Sequence, residues 1–282
     1  MSRPTGSDLS GSTLDGYVLE AKIGSGATGV VYRARRGDED KPVAVKVLNE
    51  NLGQISSLRR RFEREARALS RLKHPRIVHI SDFGITDEAT FIAMEVLEGD
   101  TLEEILADGP VAPESAVAIV CQTLEGVGFA HEMQIVHRDL KPANIFLQFV
   151  GGKPDVKVLD FGLAKFLSVD ELSEDATLTR KGRIVGTPAY MAPEQITGGA
   201  LDVRADVYAA GVLLFELLAD RRPFDYPRRS QLLRAHLFEP VPALATVRPG
   251  LTVHPALEAI VRKALSKDPA ERFADAGAML AA

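Results

Sequence analysis

From residue 16 to about 97, apolar and polar positions tend to alternate, and many of the apolar ones are β-branched. Tyr17 to Ile23, Val30 to Arg35 and Pro42 to Leu48 read as half-buried strands separated by Gly-rich or charged turns. One helix interrupts them, because Leu58, Phe62, Ala66, Leu69 and Leu72 recur at helical spacing. Two further strands are expected around Ile77 to Phe83 and Thr90 to Val96. From about residue 100 the spacing turns mainly helical, with a short strand pair near Ile145 to Leu147 and Val156 to Leu159. The run Val207 to Leu218 has the texture of a helix buried on all sides, although it contains Glu216. Strands followed by helices, segregated along the chain, indicate an α+β, bilobal architecture: a small antiparallel-sheet lobe with one helix, then a larger helical lobe. A ligand is expected in a cleft between lobes. No internal repeat is visible.

Composition narrows the function classes. With 282 residues, 45% of them hydrophobic, the chain can bury large cores. Its formal net charge of −5 gives no footprint for a nucleic-acid partner, and Arg59-Arg60-Arg61 and Arg228-Arg229 read as solvated faces. Cys121, the one cysteine, shares a helical face with Val117, Val120 and Leu124 and is expected in the core; a lone cysteine fits a reducing, cytoplasmic setting. Residues 1–15, rich in Ser, Thr and Gly, read as a disordered leader without an apolar h-region. No run is long enough to span a bilayer, so membrane anchoring would require a parent chain continuing past Ala282.

The most informative segment is His137-Arg138-Asp139-Leu140-Lys141-Pro142-Ala143-Asn144, with Asp160-Phe161-Gly162 sixteen residues after Asn144. Packing would not select that order of polar groups. An ionised Asp139 can only accept and could take a hydroxyl proton, and Lys141 could neutralise a moving phosphoryl group. Asn144 and Asp160 offer hard oxygens suited to Mg²⁺, with Mn²⁺ as the alternative. HRDLKPAN followed by DFG resembles the catalytic and metal-binding segments of eukaryotic-like (Hanks-type) serine/threonine protein kinases, with a bacterial flavour. The resemblance implies a protein-kinase-like fold over 16–282, with an N-lobe to about 97 and a C-lobe from about 98. It also implies ATP as cofactor, proteins as substrates and a signalling role. In this family the position of Lys141 marks the serine/threonine branch, and His137 is structural. The other histidines, His74 among them, lack metal-ligand spacing.

The glycine loop Gly24-Ser25-Gly26-Ala27-Thr28-Gly29 matches GxGxxG, yet a strand pattern follows it where a dinucleotide-binding unit would start a helix. A hairpin whose glycine turn covers phosphates fits better, and a ligand-free hairpin is the bland alternative. In Val43-Ala44-Val45-Lys46, alternation puts Ala44 and Lys46 on one strand face. Alone, Lys46 would read as snorkelling at a strand edge. Glu65, however, falls on the apolar face of the helix and needs a cation. By resemblance Lys46 holds the α/β-phosphates and Glu65 orients it. The same resemblance lines an adenine pocket with Ile23, Val31, Ala44, Met94 and Phe146, and gives the adenine edge to the backbones of Glu95 and Leu97. Plain core packing is the alternative for Met94 and Phe146.

Between Asp160 and Glu194 a long polar segment ends in Gly186-Thr187-Pro188-Ala189-Tyr190-Met191-Ala192-Pro193-Glu194. It resembles a kinase activation segment anchored by APE, in which Thr187 bonds Asp139 and Lys141. Ser173, Thr177 and Thr179 are candidate autophosphorylation sites, and Arg138 could pair with a phosphate added there. Asp206 would cap the catalytic-loop backbone, and Arg272 would pair with Glu194. Two other functions compete with an active protein kinase. A pseudokinase would usually have lost a catalytic or metal position, and a small-molecule phosphotransferase of kinase-like fold would usually lack the APE-type segment.

Overall fold

The computed structural model describes residues 8–26, 28–37, 41–49, 56–161 and 187–282. The described chain divides into two compact units: residues up to His74 with Val78–Glu98, and Pro75–Ile77 with the residues from Gly99 onward. The candidate phosphosites Ser173, Thr177 and Thr179, together with Gly162, lie outside the described residues.

Among the described residues, the first unit is an antiparallel sheet with one helix. Its described strands are β1 (Thr13–Leu14), β2 (Tyr17–Gly26), β3 (Gly29–Arg36), β4 (Val43–Leu48), β5 (Ile80–Ile85) and β6 (Thr90–Glu95), ordered β1-β2-β3-β4-β6-β5. Strand alternation sorts the side chains. Leu19, Tyr32, Ala34, Val45, Phe91 and Ala93 form a buried cluster with Leu14 and Tyr17. The opposite face carries Val31, paired with Lys46, which pairs with Ile92. The helix α1 (Ser56–Leu69) buries Leu58, Phe62, Ala66 and Leu69, and Phe62 meets Phe83 edge-on at 6.1 Å. Phe83 pairs with Ile92, so α1 covers the face that bears Lys46.

Two expectations about this unit need correction. The disordered leader does not hold for its second half: residues 13 and 14 pair with β2, and the Leu9 N–H donates to the Tyr32 hydroxyl at 3.1 Å. Leu9 also packs on the sheet core, so a short apolar anchor outweighs the Ser/Gly composition around it. The strand expected from Ile77 begins at Ile80 instead. Ile77 makes an isolated bridge to Val158, and Arg76 O accepts from the Val158 N–H at 2.8 Å, which draws this stretch into the second unit.

The second unit is mainly helical. A small sheet joins β7 (Asp100–Thr101), β8 (Ile145–Val150) and β9 (Lys153–Val158). Its described helices are α2 (Leu102–Asp108), α3 (Pro113–Glu132), α4 (Pro193–Thr197), α5 (Arg204–Ala219), α6 (Arg229–Phe238), α7 (Leu244–Val247), α8 (Pro255–Ala264) and α9 (Ala276–Ala281). Every residue of α5 from Ala205 to Ala219 is buried except Glu216, and α3, α7, α8 and α9 pack around it. Cys121 departs from the expected core position. It is half-buried, and burial beside Glu125 pushes its thiol pKa up. Among the described residues, no helix is long and apolar enough to cross a membrane.

Candidate functional site

Strand register sets four candidate residues of the first unit side by side. Gly24 pairs with Val31, Val31 with Lys46 and Lys46 with Ile92, so one row crosses four strands. The neighbouring row pairs Ala44 with Met94. Val31, Ala44, Lys46 and Met94 therefore share one face. Ile23, at the β2 end of this region, is half exposed at 51% although it is large and apolar. Lys46 is buried at 5% exposure.

The three glycines of the loop separate on steric grounds. A Cβ on Gly29 would stand 2.3 Å from Val47 O, so strand packing alone requires this glycine. A Cβ on Gly26 would meet nothing within 4 Å, and one on Gly24 only Val31 at 3.8 Å. Neither has a positive φ. Packing does not require a glycine at these two positions. Gly26 and Gly29 close the β2–β3 hairpin, as the strand pattern after the loop required.

Glu65 is half-buried and accepts from Arg64 at 3.0 Å, so the cation seen beside it is its chain neighbour. Glu95 is clamped to His79: its N–H donates to His79 O at 3.1 Å, and its carboxylate accepts from the His79 N–H at 2.8 Å. Any adenine contact at Glu95 must therefore use its carbonyl. Leu97 follows the end of β6 and is half-buried.

In the second unit the candidate residues hold one another directly. Pro142 opens a 3-10 turn over Pro142–Asn144 that leads from the loop into β8. Lys141 Nζ donates to Asp139 Oδ2 at 2.7 Å and to Thr187 Oγ1 at 3.0 Å, and the Thr187 N–H reaches Asp139 Oδ1 at 3.5 Å. Asn144 Nδ2 donates to Asp139 O at 2.7 Å and to its Oδ2 at 3.3 Å. With the amide nitrogen committed, the carbonyl oxygen is the remaining polar atom of the Asn144 side chain. Asn144 O accepts from the Leu159 N–H at 2.8 Å, and Ile145 pairs with Val158. Asn144 and Asp160 thus stand at the adjoining ends of β8 and β9. Asp160 takes a left-handed φ of 56°. Phe146 is half-buried on β8, paired with Thr101 and Lys157.

Asp206 organises the loop from below. Fully buried in the first turn of α5, its Oδ2 accepts from the His137 N–H at 2.7 Å and from His131 Nε2 at 2.9 Å, and its Oδ1 accepts from the Arg138 N–H at 2.8 Å. Burial alone would raise its pKa. The His131 bond leads the interactions that more than offset this and hold the carboxyl below the ordinary range. His137 is committed at both ring nitrogens: Nε2 donates to Leu159 O at 2.8 Å, and Nδ1 accepts from the Asp139 N–H at 3.3 Å. Its ring also lies 4.6 Å from that of Phe161. A fully engaged imidazole positions the loop and has no nitrogen left for proton transfer.

Arg272 pairs with Glu194 in a two-pronged bridge of 2.7 and 2.8 Å, and also caps Arg204 O at 2.9 Å and Ser266 O at 2.8 Å. Two contributors were not legible in the chain. His131, grouped with the structural histidines, is a partner of Asp206, and no local pattern marks it. Gln195 donates to Arg138 O at 2.9 Å and accepts from the Ala192 N–H at 2.9 Å. Its place three residues after the Ala192 N-cap is the available signal.

The arrangement offers an acceptor-only carboxylate, an ammonium bonded to it, a hydroxyl that bridges to the ammonium, and hard oxygens beside them. That set fits hydroxyl deprotonation next to a charged phosphoryl group and a hard divalent cation. No group of three or more metal-binding His, Cys, Asp or Glu side chains occurs among the described residues.

A family model described as protein kinase domain matches residues 17–281. The chain is 43% identical to serine/threonine-protein kinase pkn3 of Myxococcus xanthus, over 94% of this chain and 49% of that protein. It is 39% identical to PknL of Mycobacterium tuberculosis over 93% of this chain and 63% of the relative. For PrkC of Bacillus subtilis the identity is 39%, over 94% and 40%. The chain thus spans about half the length of these curated relatives. Among solved structures, the M. tuberculosis PknI kinase domain superposes with a TM-score of 0.74 at 29% identity, covering 96% of both chains. Rad53 in complex with AMP-PNP gives a TM-score of 0.73 at 26% identity, over 94% of this chain and 64% of the other.

Proposed function

The chain belongs to the protein kinase family, and from that premise we propose that it transfers the γ-phosphoryl group of ATP to Ser and Thr hydroxyls of protein substrates. The observation that carries this reading is the Asp139–Lys141–Thr187 triangle, with Lys141 2.7 Å from the carboxylate and 3.0 Å from the threonine hydroxyl. Asp139 orients the acceptor hydroxyl and takes its proton as the O–P bond forms. Lys141 offsets the charge on the moving group. Thr187 ties the substrate-side segment to the base and suits an aliphatic hydroxyl as acceptor.

Asn144 and Asp160 would hold Mg²⁺, or Mn²⁺ in its place, which when bound neutralises charge on the phosphate oxygens. Lys46 holds the α/β-phosphates, and the Gly24–Gly29 turn gives them its backbone N–H groups. In the first unit Val31, Ala44, Met94 and Ile23 would contact the adenine, with the backbones of Glu95 and Leu97 at its polar edge; Phe146 is the candidate that the second unit adds by family resemblance. Glu65 orients Lys46; the bridge of Glu65 to Arg64 is half-exposed, worth under about 1 kcal/mol, and does not oppose that role. Activation-segment autophosphorylation, read by Arg138, is the regulation this assignment implies.

The test is incubation of the purified chain with labelled ATP and a divalent cation. The reading expects label on Ser or Thr of the chain and of a protein substrate, abolished by Asp139→Asn. Label confined to a small molecule would favour the phosphotransferase alternative, and nucleotide binding without transfer the pseudokinase.

A further inference from the structure

We propose that Gln195 is a positioning residue for phosphoryl transfer, holding the peptide that leads into Asp139. The proposal rests on the reading of Asp139 as the base. Arg138 has a φ of 70°, a left-handed conformation that is strained for any side chain with a Cβ. Such strain persists only where neighbours over-determine it. On one side, Asp206 Oδ1 accepts from the Arg138 N–H at 2.8 Å. On the other, Gln195 Nε2 donates to the Arg138 carbonyl at 2.9 Å.

That carbonyl lies in the same rigid peptide plane as the Asp139 N–H. Fixing the oxygen therefore fixes the direction in which the chain enters Asp139, and keeps its N–H on His137 Nδ1 at 3.3 Å. The orientation of the Gln195 amide follows from chemistry. Its oxygen must face the Ala192 N–H and its NH₂ must face the Arg138 carbonyl, because the flipped amide would oppose like groups at both ends.

A purely local role would not need glutamine. Accepting from the N-cap N–H three residues earlier is a task that glutamate performs equally well at a helix start. Only an amide can also donate to a carbonyl. The residue links α4, which the Glu194–Arg272 bridge anchors, to the strained peptide beside the base.

Two variants separate the roles. Gln195→Glu keeps the acceptor for Ala192 and removes the donor to Arg138; Gln195→Met removes both. Both variants should lower kcat about tenfold or more with KM for ATP within about twofold of the parent, since displacing a reacting group by a fraction of an ångström slows chemistry without weakening nucleotide binding. Amide hydrogen exchange at Arg138 and Asp139 should accelerate in both. A Gln195→Glu protein with the parent's kcat, or with the parent's exchange rates, overturns the proposal and leaves Gln195 a helix cap. If the parent itself transfers no phosphate, the functional reading fails, and the exchange rates alone decide whether Gln195 holds the loop.

Discussion

The sheet face around Lys46 and the loop around Asp139 place their candidate side chains by different means. On the sheet, Val31, Ala44, Lys46 and Met94 come together because paired strands put alternate residues on one side. In the loop, Asp139 is held by Lys141, Asn144 and His137, and the backbone before it by Asp206 and Gln195. Register spreads the task over many backbone bonds, so losing one side chain removes chemistry and little structure. A side-chain network concentrates it in a few buried polar atoms, so losing one member exposes the others to an unpaired state. Loss of a buried hub such as Asp206 should therefore cost stability, and loss of a single side chain on the sheet face should cost little.

The largest effect expected is on turnover. Asp139→Asn should lower kcat by about 10²–10⁴-fold, the usual contribution of a general base, with nucleotide affinity unchanged in a binding titration. A smaller loss would mean that the carboxylate only orients the acceptor.

Asp206→Asn comes next and acts on stability. It places an amide NH₂ among buried N–H donors and removes a buried charged partner, at a cost of about 3–5 kcal/mol in denaturant unfolding. The variant also has a pH signature. The folded pKa of Asp206 is depressed, so its contribution is present above the ordinary carboxylate range and is lost as pH falls through the depressed value. The variant should therefore lose less stability than the parent on acidification. An identical acid limb in both proteins would mean that Asp206 does not carry this linkage.

Asp160→Asn should leave the fold intact and weaken the divalent cation. In a thermal-shift assay, ATP should stabilise the variant equally with and without Mg²⁺, while the parent gains from the metal. Metal-dependent stabilisation of the same size in both proteins would remove Asp160 from the metal site.

The glycines sharpen the comparison within the sheet. Gly29→Ala forces a Cβ against Val47 O and should destabilise by about 1–3 kcal/mol. Gly24→Ala and Gly26→Ala should change stability by less than about 0.5 kcal/mol and weaken ATP binding instead. If all three behaved alike, the division between packing and ligand approach would fail.

The smallest effect concerns Glu216, which burial pushes to a raised pKa while the Tyr190 hydroxyl bonds it. A raised carboxylate stabilises at low pH, and that contribution is lost as pH rises through the raised value, the reverse of Asp206. Glu216→Gln should raise the unfolding free energy slightly near neutrality, by less than about 1 kcal/mol, and the gain should vanish in acid. Together the two variants would show opposite slopes in stability against pH.

How much could be read from the chain differs between the regions for the same physical reason. Alternation is a local property, so Ala44 and Lys46 could be assigned to one face directly. The order of groups in His137–Asn144 likewise announces its chemistry within eight residues. The strand start at Ile80 was misplaced because residues 75–77 pack with the second unit, which no local pattern reports. Cys121 shared a face with apolar neighbours, yet how deeply a helix face is covered depends on what packs there.

By itself the sequence determined the order of elements, the apolar face of each, and which residue types could bind phosphate, hold a cation or take a proton. Only the tertiary structure decided which of them meet. It brought His131 and Asp206 together across 75 residues and set Gln195 against Arg138 across 57. It also required Gly29, but not Gly24 or Gly26, for packing. Hydrogen bonds and steric contacts act over a few ångströms whatever the separation along the chain, so partners this far apart leave no periodic trace for a sequence pattern to reveal.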